Sequence, residues 1–390
     1  MTFQGRQALA DAAAFREFIA AQGLNAAPPL DLRDAQWVTF GGSYSGALSA
    51  WARQLYPQHF AAAVASSAPI ESQMNFQGFH DVVASSLAAP SVFGTPQCLA
   101  TISRGHAELG DLLKTERGKR SLEKKFNLCG SNPLDVRQNI GGWAGFGVIT
   151  SNQYNNNRCP TTSCNIKLLC GNLSAFRRAT MSDLDALVML QQHQREEMVA
   201  GGNPNAAGCT DISWQSYLDS MKLIEKHSDS RNFFRIWTYQ LCTEWGNFIT
   251  CDEGSNCPFT RGYNDMDLWY NMCLEVYNIS KAQVLANVRK TNEFYGGTKF
   301  PGGTQVVFPN GEVDPWHSLS VLVPPNHNID TIFVKGASHC ETRPSLGPLG
   351  SLEYRLSASF SHHVATIFPS FYHHVPQHFQ DNILVVQLAT

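Results

Sequence analysis

The spacing of apolar positions near the start of the chain changes in a way that predicts a helix, a strand, a second helix and a second strand. Residues Gln7–Gln22 read as an amphipathic helix with Leu9, Phe15 and Phe18 turned inward. A loop rich in Pro and Asp, Ala27–Asp34, follows it. Trp37-Val-Thr-Phe40 is a short apolar run of the kind that forms a buried strand. Gly41-Gly42 interrupts it, after which Leu48, Trp51, Ala52 and Leu55 recur at helical spacing until Pro57. Phe60–Ala65 then predicts the next strand. Strand, glycine turn, helix and strand make a βαβ unit of a parallel sheet.

The pattern shifts at about Met74. From there to about Arg235 helical periods such as Met181–Met198 alternate with loops rich in Asn, Gly and Cys, among them Ser151-Asn-Gln-Tyr-Asn-Asn-Asn157. That region reads as a mostly helical insertion, or cap. Strand-like runs return at Thr304–Phe308 and Thr331–Val334, each ending in a polar loop. The expected organisation is therefore a sheet part over 1–73, an inserted cap over 74–235, a second sheet part over 236–342 and a divergent tail over 343–390. In the tail, His374 and His378 stand four apart, but Pro376 between them breaks the helix that would pair them. With His373 they are a weak candidate for a metal site, and no metal is expected.

Composition narrows the function. Of 390 residues 43% are hydrophobic and 16% charged, the balance of a folded globular protein, and the net charge of −3 leaves no footprint for nucleic acid. The most apolar stretch, Phe60–Ile70, is interrupted by Ser66 and Ser67, so no membrane span is expected. None of the eleven cysteines forms a Cys-x-x-Cys pair, which disfavours zinc and redox motifs. The clustering of Cys159, Cys164 and Cys170, then Cys242, Cys251, Cys257 and Cys273, suits disulfides in an oxidising compartment better than scattered thiols in a reducing one. Cys251 and Cys257 are candidates for a loop-closing bridge, and the odd total leaves at least one thiol free or paired elsewhere. Asn172-Leu-Ser and Asn278-Ile-Ser are possible glycosylation acceptors of the same compartment. The opening residues, however, lack the basic and apolar regions of a signal peptide, so the expected reading is a start inside a longer protein.

The candidate chemistry lies at the first glycine turn. Ser43 stands between a strand end and a helix start, flanked two positions away by the small residues Gly41 and Ser45, as a nucleophile elbow requires. The helix N-terminus favours developing negative charge there, and the N–H of Tyr44 would be one oxyanion donor. By itself the pattern fits any glycine-rich strand-to-helix turn, and Ser45 is a rival nucleophile. A serine hydroxyl needs a histidine to take its proton and a carboxylate to hold that histidine. Asp314 in Asn310-Gly-Glu-Val-Asp-Pro-Trp316 and His339 in Gly336-Ala-Ser-His339 each follow a strand-like run, in the order Ser, acid, His. Asp314 could be a plain turn former and His339 an ordinary loop residue. All three in that order, each after a strand, is far less ordinary.

Five segments extend this into a resemblance: Gly41-Gly-Ser-Tyr-Ser-Gly-Ala-Leu-Ser-Ala-Trp51, Ala65-Ser-Ser-Ala-Pro69, Tyr239-Gln-Leu-Cys-Thr-Glu244, Asn310–Trp316 and Gly336-Ala-Ser-His-Cys340. Together they resemble the lysosomal Pro-Xaa carboxypeptidase and dipeptidyl peptidase II family of serine peptidases, over roughly residues 5–342. The Gln240–Cys257 stretch, Phe294-Tyr-Gly-Gly297 and Trp316-His317 lean toward its thymus-specific branch. The resemblance implies an α/β-hydrolase domain with an inserted helical cap, with Ser43 as nucleophile, Asp314 as acid and His339 as base. It implies cofactor-free exopeptidase action on short peptides, often beside proline, with Trp316 lining an apolar pocket. A secretory, lysosomal or extracellular location follows from it, and a homodimer is allowed. Glu244 falls in a shared motif without an assigned role.

Against the family pattern, the first strands and a loop near the oxyanion hole are missing, and the chain after Cys340 diverges. Residues 1–390 by themselves are therefore expected to be poorly soluble and nearly inactive, because a parallel sheet without its first strands exposes an edge. An esterase or lipase of the same fold, and an inactive remnant or binding module, are the alternatives.

Overall fold

The computed structural model describes residues 5–22, 32–147, 153–155, 161–202, 206–222, 230–341 and 383–387. In chain order the main elements are α1 Gly5–Gln22, β1 Gln36–Gly42, α2 Tyr44–Leu55, β2 Ala62–Ser66, α3 Gly78–Ala88, α4 Pro96–Leu112, α5 Glu116–Lys125, α6 Arg137–Trp143 and α7 Ile166–Thr180. They continue as α8 Asp183–Ala200, α9 Trp214–Lys222, α10 Ser230–Gln240, α11 Met266–Tyr277, α12 Lys281–Tyr295, β3 Val306–Gly311, β4 Ile329–Val334 and β5 Ile383–Gln387. The sheet order is β4-β3-β2-β1-β5, and every adjacent pair is parallel.

Parallel pairing explains why the strands read as continuous apolar runs. A sheet covered on both faces has no polar side to alternate with, and all six residues of β3 are buried. It also puts all strand ends on one rim, where loops gather to form sites. Helices alternate with the early strands and then dominate between β2 and β3. Their ends carry the expected signals. Thr95, Thr115, Asn165 and Ser182 each accept a first-turn N–H with the side chain, and Ser280 and Gln283 close a capping box.

Two apolar clusters form the core. One joins α1, α2 and the strands through Trp37, Trp51, Phe60, Trp245 and Phe308. The other holds the helical stretch from Phe76 to Leu190 together with Phe259, Trp316 and Leu319. The disulfides staple mostly the second region: Cys98–Cys170 and Cys129–Cys209 link distant helices and loops, and Cys251–Cys257 closes a short loop, while Cys242–Cys273 ties the turn after α10 to α11. Cys164 is also disulfide-bonded. Among the described residues Cys340 is a free thiol. Non-reducing peptide mapping is expected to return these four pairs, with Cys340 open to alkylation. Opening Cys98–Cys170, whose ends lie 72 residues apart, should cost about 4 kcal/mol by loop entropy. Alkylation of Cys251 and Cys257 in the native protein would contradict this arrangement.

Several sequence expectations need correction. On α1 the buried residues are Gly5, Leu9, Ala13 and Ala20, whereas Phe15 and Phe18 are 52% and 60% exposed. Phe18 lies nine residues from Leu9, half a turn off its stripe at about 3.6 residues per turn. Met181 does not begin a helix; it caps α7 in the left-handed region, and α8 starts after Ser182. β2 begins at Ala62, and β3 runs on through Pro309 to Gly311. The tail supplies a strand, since β5 pairs with β1 from Gln36↔Ile383 to Phe40↔Gln387. The sheet edge expected to lie open beside β1 is therefore covered, which removes the reason for expecting residues 1–390 to be nearly inactive. His373, His374 and His378 lie outside the described residues. No helix among the described residues is long and apolar enough to cross a membrane.

Candidate active site

Ser43 sits between the last residue of β1 and the first of α2, with φ 62° and ψ −133°. A non-glycine residue there is strained by roughly 1–3 kcal/mol. The surroundings hold it: Ser43 N–H donates to Ser66 O at 2.9 Å, and Ser43 O accepts from Ala47 N–H at 3.1 Å. Ser45 is buried, donates its hydroxyl to Gly42 O at 2.7 Å and accepts from Gly42 N–H at 3.3 Å. Its hydroxyl is thus spent on the turn, which leaves Ser43, half-buried, as the more accessible serine of the elbow. Gly41 is required by the closeness of the turn. A Cβ there would stand 1.9 Å from Ser45 O.

Two strands away the chain builds a buried acid–base pair. Asp314 follows β3 and is fully buried. Its Oδ1 accepts from Trp316 N–H at 2.9 Å and faces His339 Nδ1 at 2.8 Å. His339 follows β4, and the two loops are sewn together. Val313 N–H donates to Ala337 O at 3.0 Å, and Gly336 N–H to Glu312 Oε2 at 2.7 Å. Gly311 lets them close, because a Cβ on it would lie 2.3 Å from Ala337 O. His339 Nε2 is buried without a hydrogen-bond partner among the described residues. Ser43 reaches the same place through β2. Ser66 accepts from Ser43 N–H, and the hydroxyl of the next residue, Ser67, accepts from Cys340 N–H at 3.0 Å. Among the described residues Asp314 and His339 are thus joined directly, while Ser43, at the end of β1 two strands from β3, makes no hydrogen bond with His339 Nε2.

Burial alone would push the His339 imidazole toward its neutral form. The hydrogen bond and charge of Asp314, with help from Cys340, win and raise its pKa from 6.5 to about 9. A base must be neutral to accept a proton, so reaction of the free protein with a serine-directed probe should climb about tenfold per pH unit and level off above about 9. Asp314→Asn should shift that profile to lower pH. The pairing also stabilises the fold fully below about pH 6.5, and that contribution is lost as pH rises through about 9. A probe-rate profile already flat from pH 5 to 8 would contradict the raised value.

Trp316 lies beside this pair with its ring 6.1 Å from His339, among Phe76 at 5.3 Å and Phe79 at 5.7 Å. A tripeptide that the sequence reading treated only as polar loop reinforces both. Gln153 O accepts from His339 N–H at 3.0 Å, and Gln153 Oε1 accepts from Trp316 Nε1–H at 2.6 Å. The Tyr154 ring stands 6.0 Å from His339, and Asn155 N–H donates to Ser338 Oγ at 3.0 Å. Such polar loop residues carry no periodic signal, so the sequence held little to single them out. Beside the Asp314 loop is a small, mainly apolar pocket lined by Val83, Leu87, Tyr154, Ile166, Leu169 and Pro315 among others.

Tyr44 opens α2, and its ring packs against Trp237 and Trp245. Asn278 is exposed at the end of α11. Asn172 lies within α7 with its amide donating to Thr162 O and Leu168 O at 3.2 and 2.9 Å. Among the described residues His80, Cys251 and Cys257 cluster tightly enough for a metal, but the two sulfurs are joined to each other.

Comparison with known proteins agrees with this geometry. The family model described as serine carboxypeptidase S28 matches residues 2–351. A putative serine protease of Caenorhabditis elegans is 29% identical over 89% of this chain and 66% of its own length. Mouse thymus-specific serine protease is 31% identical over 90% of this chain and 66% of its own. Bovine lysosomal Pro-X carboxypeptidase is 25% identical over 80% and 59%. The chain thus spans about two thirds, or less, of the length of these relatives. With a family model covering most of its length and a strand-end serine on the rim that carries a buried Asp–His pair, this chain belongs to the serine carboxypeptidase S28 family.

Proposed function

We propose that this chain carries the reaction centre of a serine exopeptidase that hydrolyses short peptides, with bonds beside proline as preferred sites. The observation that carries the reading is the buried Asp314–His339 pair, its Nε2 unpartnered, on the sheet rim that also bears the strained Ser43 elbow. Ser43 Oγ attacks the scissile carbonyl carbon as His339 Nε2 takes the hydroxyl proton. Asp314 keeps Nδ1 protonated and stabilises the imidazolium. The carbonyl oxygen, now an oxyanion, is met by the N–H of Tyr44, a first-turn amide that a helix leaves without an internal partner. Collapse breaks the C–N bond, and the imidazolium gives its proton to the leaving amine. Water, deprotonated by His339, then releases the acyl group and restores Ser43.

Trp316 forms one wall for an apolar side chain, and the pocket beside Asp314 offers a second subsite of similar character. The helices over 74–235, most of whose buried side chains pack in the cluster that also holds Phe259, Trp316 and Leu319, act as the cap that limits entry to short substrates. The disulfides support folding in the secretory pathway and action in a lysosomal or extracellular setting. Asn278, exposed, is the better placed glycan acceptor, because Asn172 has its amide engaged.

The test is fluorophosphonate labelling of the full chain, followed by a library of free and end-blocked peptides beside simple carboxylic esters. Labelling with release of single residues or dipeptides from one terminus is expected. Turnover of esters without peptides would turn the reading to an esterase, and absence of labelling to a binding module.

A further inference from the structure

Glu244 is a substantially buried carboxylate that the reaction as described does not use. Both its oxygens face the first N–H of α1, with Gly5 N–H donating to Oε2 at 3.0 Å and to Oε1 at 3.2 Å. Burial raises its pKa, opposed by the Gly5 bond, a hydrogen bond from Gln240 and the charge of Arg6. Gln240 is one helical turn before Glu244 and is itself buried. Its amide carries two N–H donors. Its Nε2 donates to Tyr44 Oη at 3.1 Å, and its amide lies close enough to Glu244 to favour the ionised carboxylate. Burial and the Glu244 charge hold the Tyr44 phenol in its protonated form.

The turn that bears Glu244 is rigid. Residues Leu241–Trp245 form a π-helical turn after α10, and Cys242 within it is bonded to Cys273. Trp245 stacks on Trp51 of α2 at 5.1 Å and packs against the Tyr44 ring at 5.4 Å. There is no slack on the α1 side, since a Cβ on Gly5 would meet Trp245 at 3.1 Å and Glu244 Oε2 at 3.3 Å. The carboxylate therefore ties together the starts of α1 and α2, and α2 begins with the residue next to Ser43.

We infer that Glu244 is a positioning residue. Through Gln240 it fixes the Tyr44 side chain, and thereby aims the Tyr44 backbone N–H at the oxygen of the reacting carbonyl. Tyr44 carries both the clamped ring and the donor amide, so freeing the ring lets the amide swing at the start of the helix. The role is that of a hydrogen-bond acceptor. An uncharged side chain of the same shape should preserve it, because Gln at this position can still accept from Gly5 N–H and pair with Gln240.

The inference rests on the proposed serine chemistry, and a fluorophosphonate probe tests it because its phosphoryl oxygen occupies the place of the oxyanion. In the full chain, Glu244→Ala should slow the second-order labelling rate about 10- to 100-fold, a range set by misplacement of one donor. Glu244→Gln should stay within about 3-fold of the unaltered chain, and Tyr44→Phe, which keeps the ring but loses the Gln240 bond, should fall about 5-fold. On a peptide substrate the losses should appear in kcat with KM unchanged. Tyr44→Phe disturbs packing least and decides the matter if Glu244→Ala does not fold. Unchanged labelling in Glu244→Ala or Tyr44→Phe, with only a lower Tm, would overturn the inference, as would Glu244→Gln as slow as Glu244→Ala. An unaltered chain that does not label would overturn the serine chemistry as well.

Discussion

Ser43→Ala is expected to abolish fluorophosphonate labelling and to lower peptide turnover by roughly 10⁵- to 10⁶-fold, the scale at which the members of a cooperating triad fail singly. Ser45→Ala makes the informative partner. Its hydroxyl is bonded to both the N–H and the carbonyl of Gly42, so its loss should cost about 1–2 kcal/mol of stability. Labelling should remain within about tenfold, since Ser43 and His339, the proposed nucleophile and base, are untouched. Intact-mass measurement of the labelled variants separates the two serines. Label retained in Ser43→Ala and lost in Ser45→Ala would assign the chemistry to the wrong residue.

Gly41→Ala should be nearly as damaging, through structure instead of chemistry. The added methyl would lie 1.9 Å from Ser45 O, 2.2 Å from Ser45 C and 2.7 Å from Gly46 N. All three are backbone atoms of α2, so no side chain can rotate away to make room. Either the first turn of α2 lifts from β1 or the end of β1 leaves the sheet, and both move Ser43. The cost should reach or exceed the upper end of the roughly 1–3 kcal/mol typical of overpacking. The expected result is little folded protein and no detectable labelling, measured by thermal denaturation and probe reaction on the same preparation. Substitution at Gly171, where a Cβ meets nothing within 4 Å, is the matched control and should label normally. A Gly41→Ala chain that melts and labels like the unaltered one would mean that the elbow is looser than its geometry.

The local signals that could be read in order along the chain were the ones the fold obeyed. The Gly41–Gly42 break between Phe40 and Tyr44 sets a strand against a helix, and it does so whatever the rest of the protein adopts. Pro57 likewise acts within a turn of its own position, and α2 ends at Leu55. Phe15 and Phe18 failed for the complementary reason. Hydrophobicity alone said that they should be inside, while the buried face of α1 carries Gly5, Leu9, Ala13 and Ala20 and turns both phenylalanines outward. The strand at Ile383–Gln387 carries a legible apolar run, yet its partner β1 lies more than three hundred residues earlier, and nothing local announces the pairing.

The candidate site divides along the same line. From sequence alone came the family, the parallel-sheet class and the order Ser43, Asp314, His339, because each rests on residue types at short fixed spacings after strand-like runs. Only the tertiary structure decided that Asp314 Oδ1 and His339 Nδ1 lie 2.8 Å apart. It alone placed Gln153 beneath both His339 and Trp316 and set Glu244 at the head of α1. Those contacts join residues up to 239 positions apart, and a hydrogen bond across such a distance depends on how helices and strands stack, which no local pattern encodes.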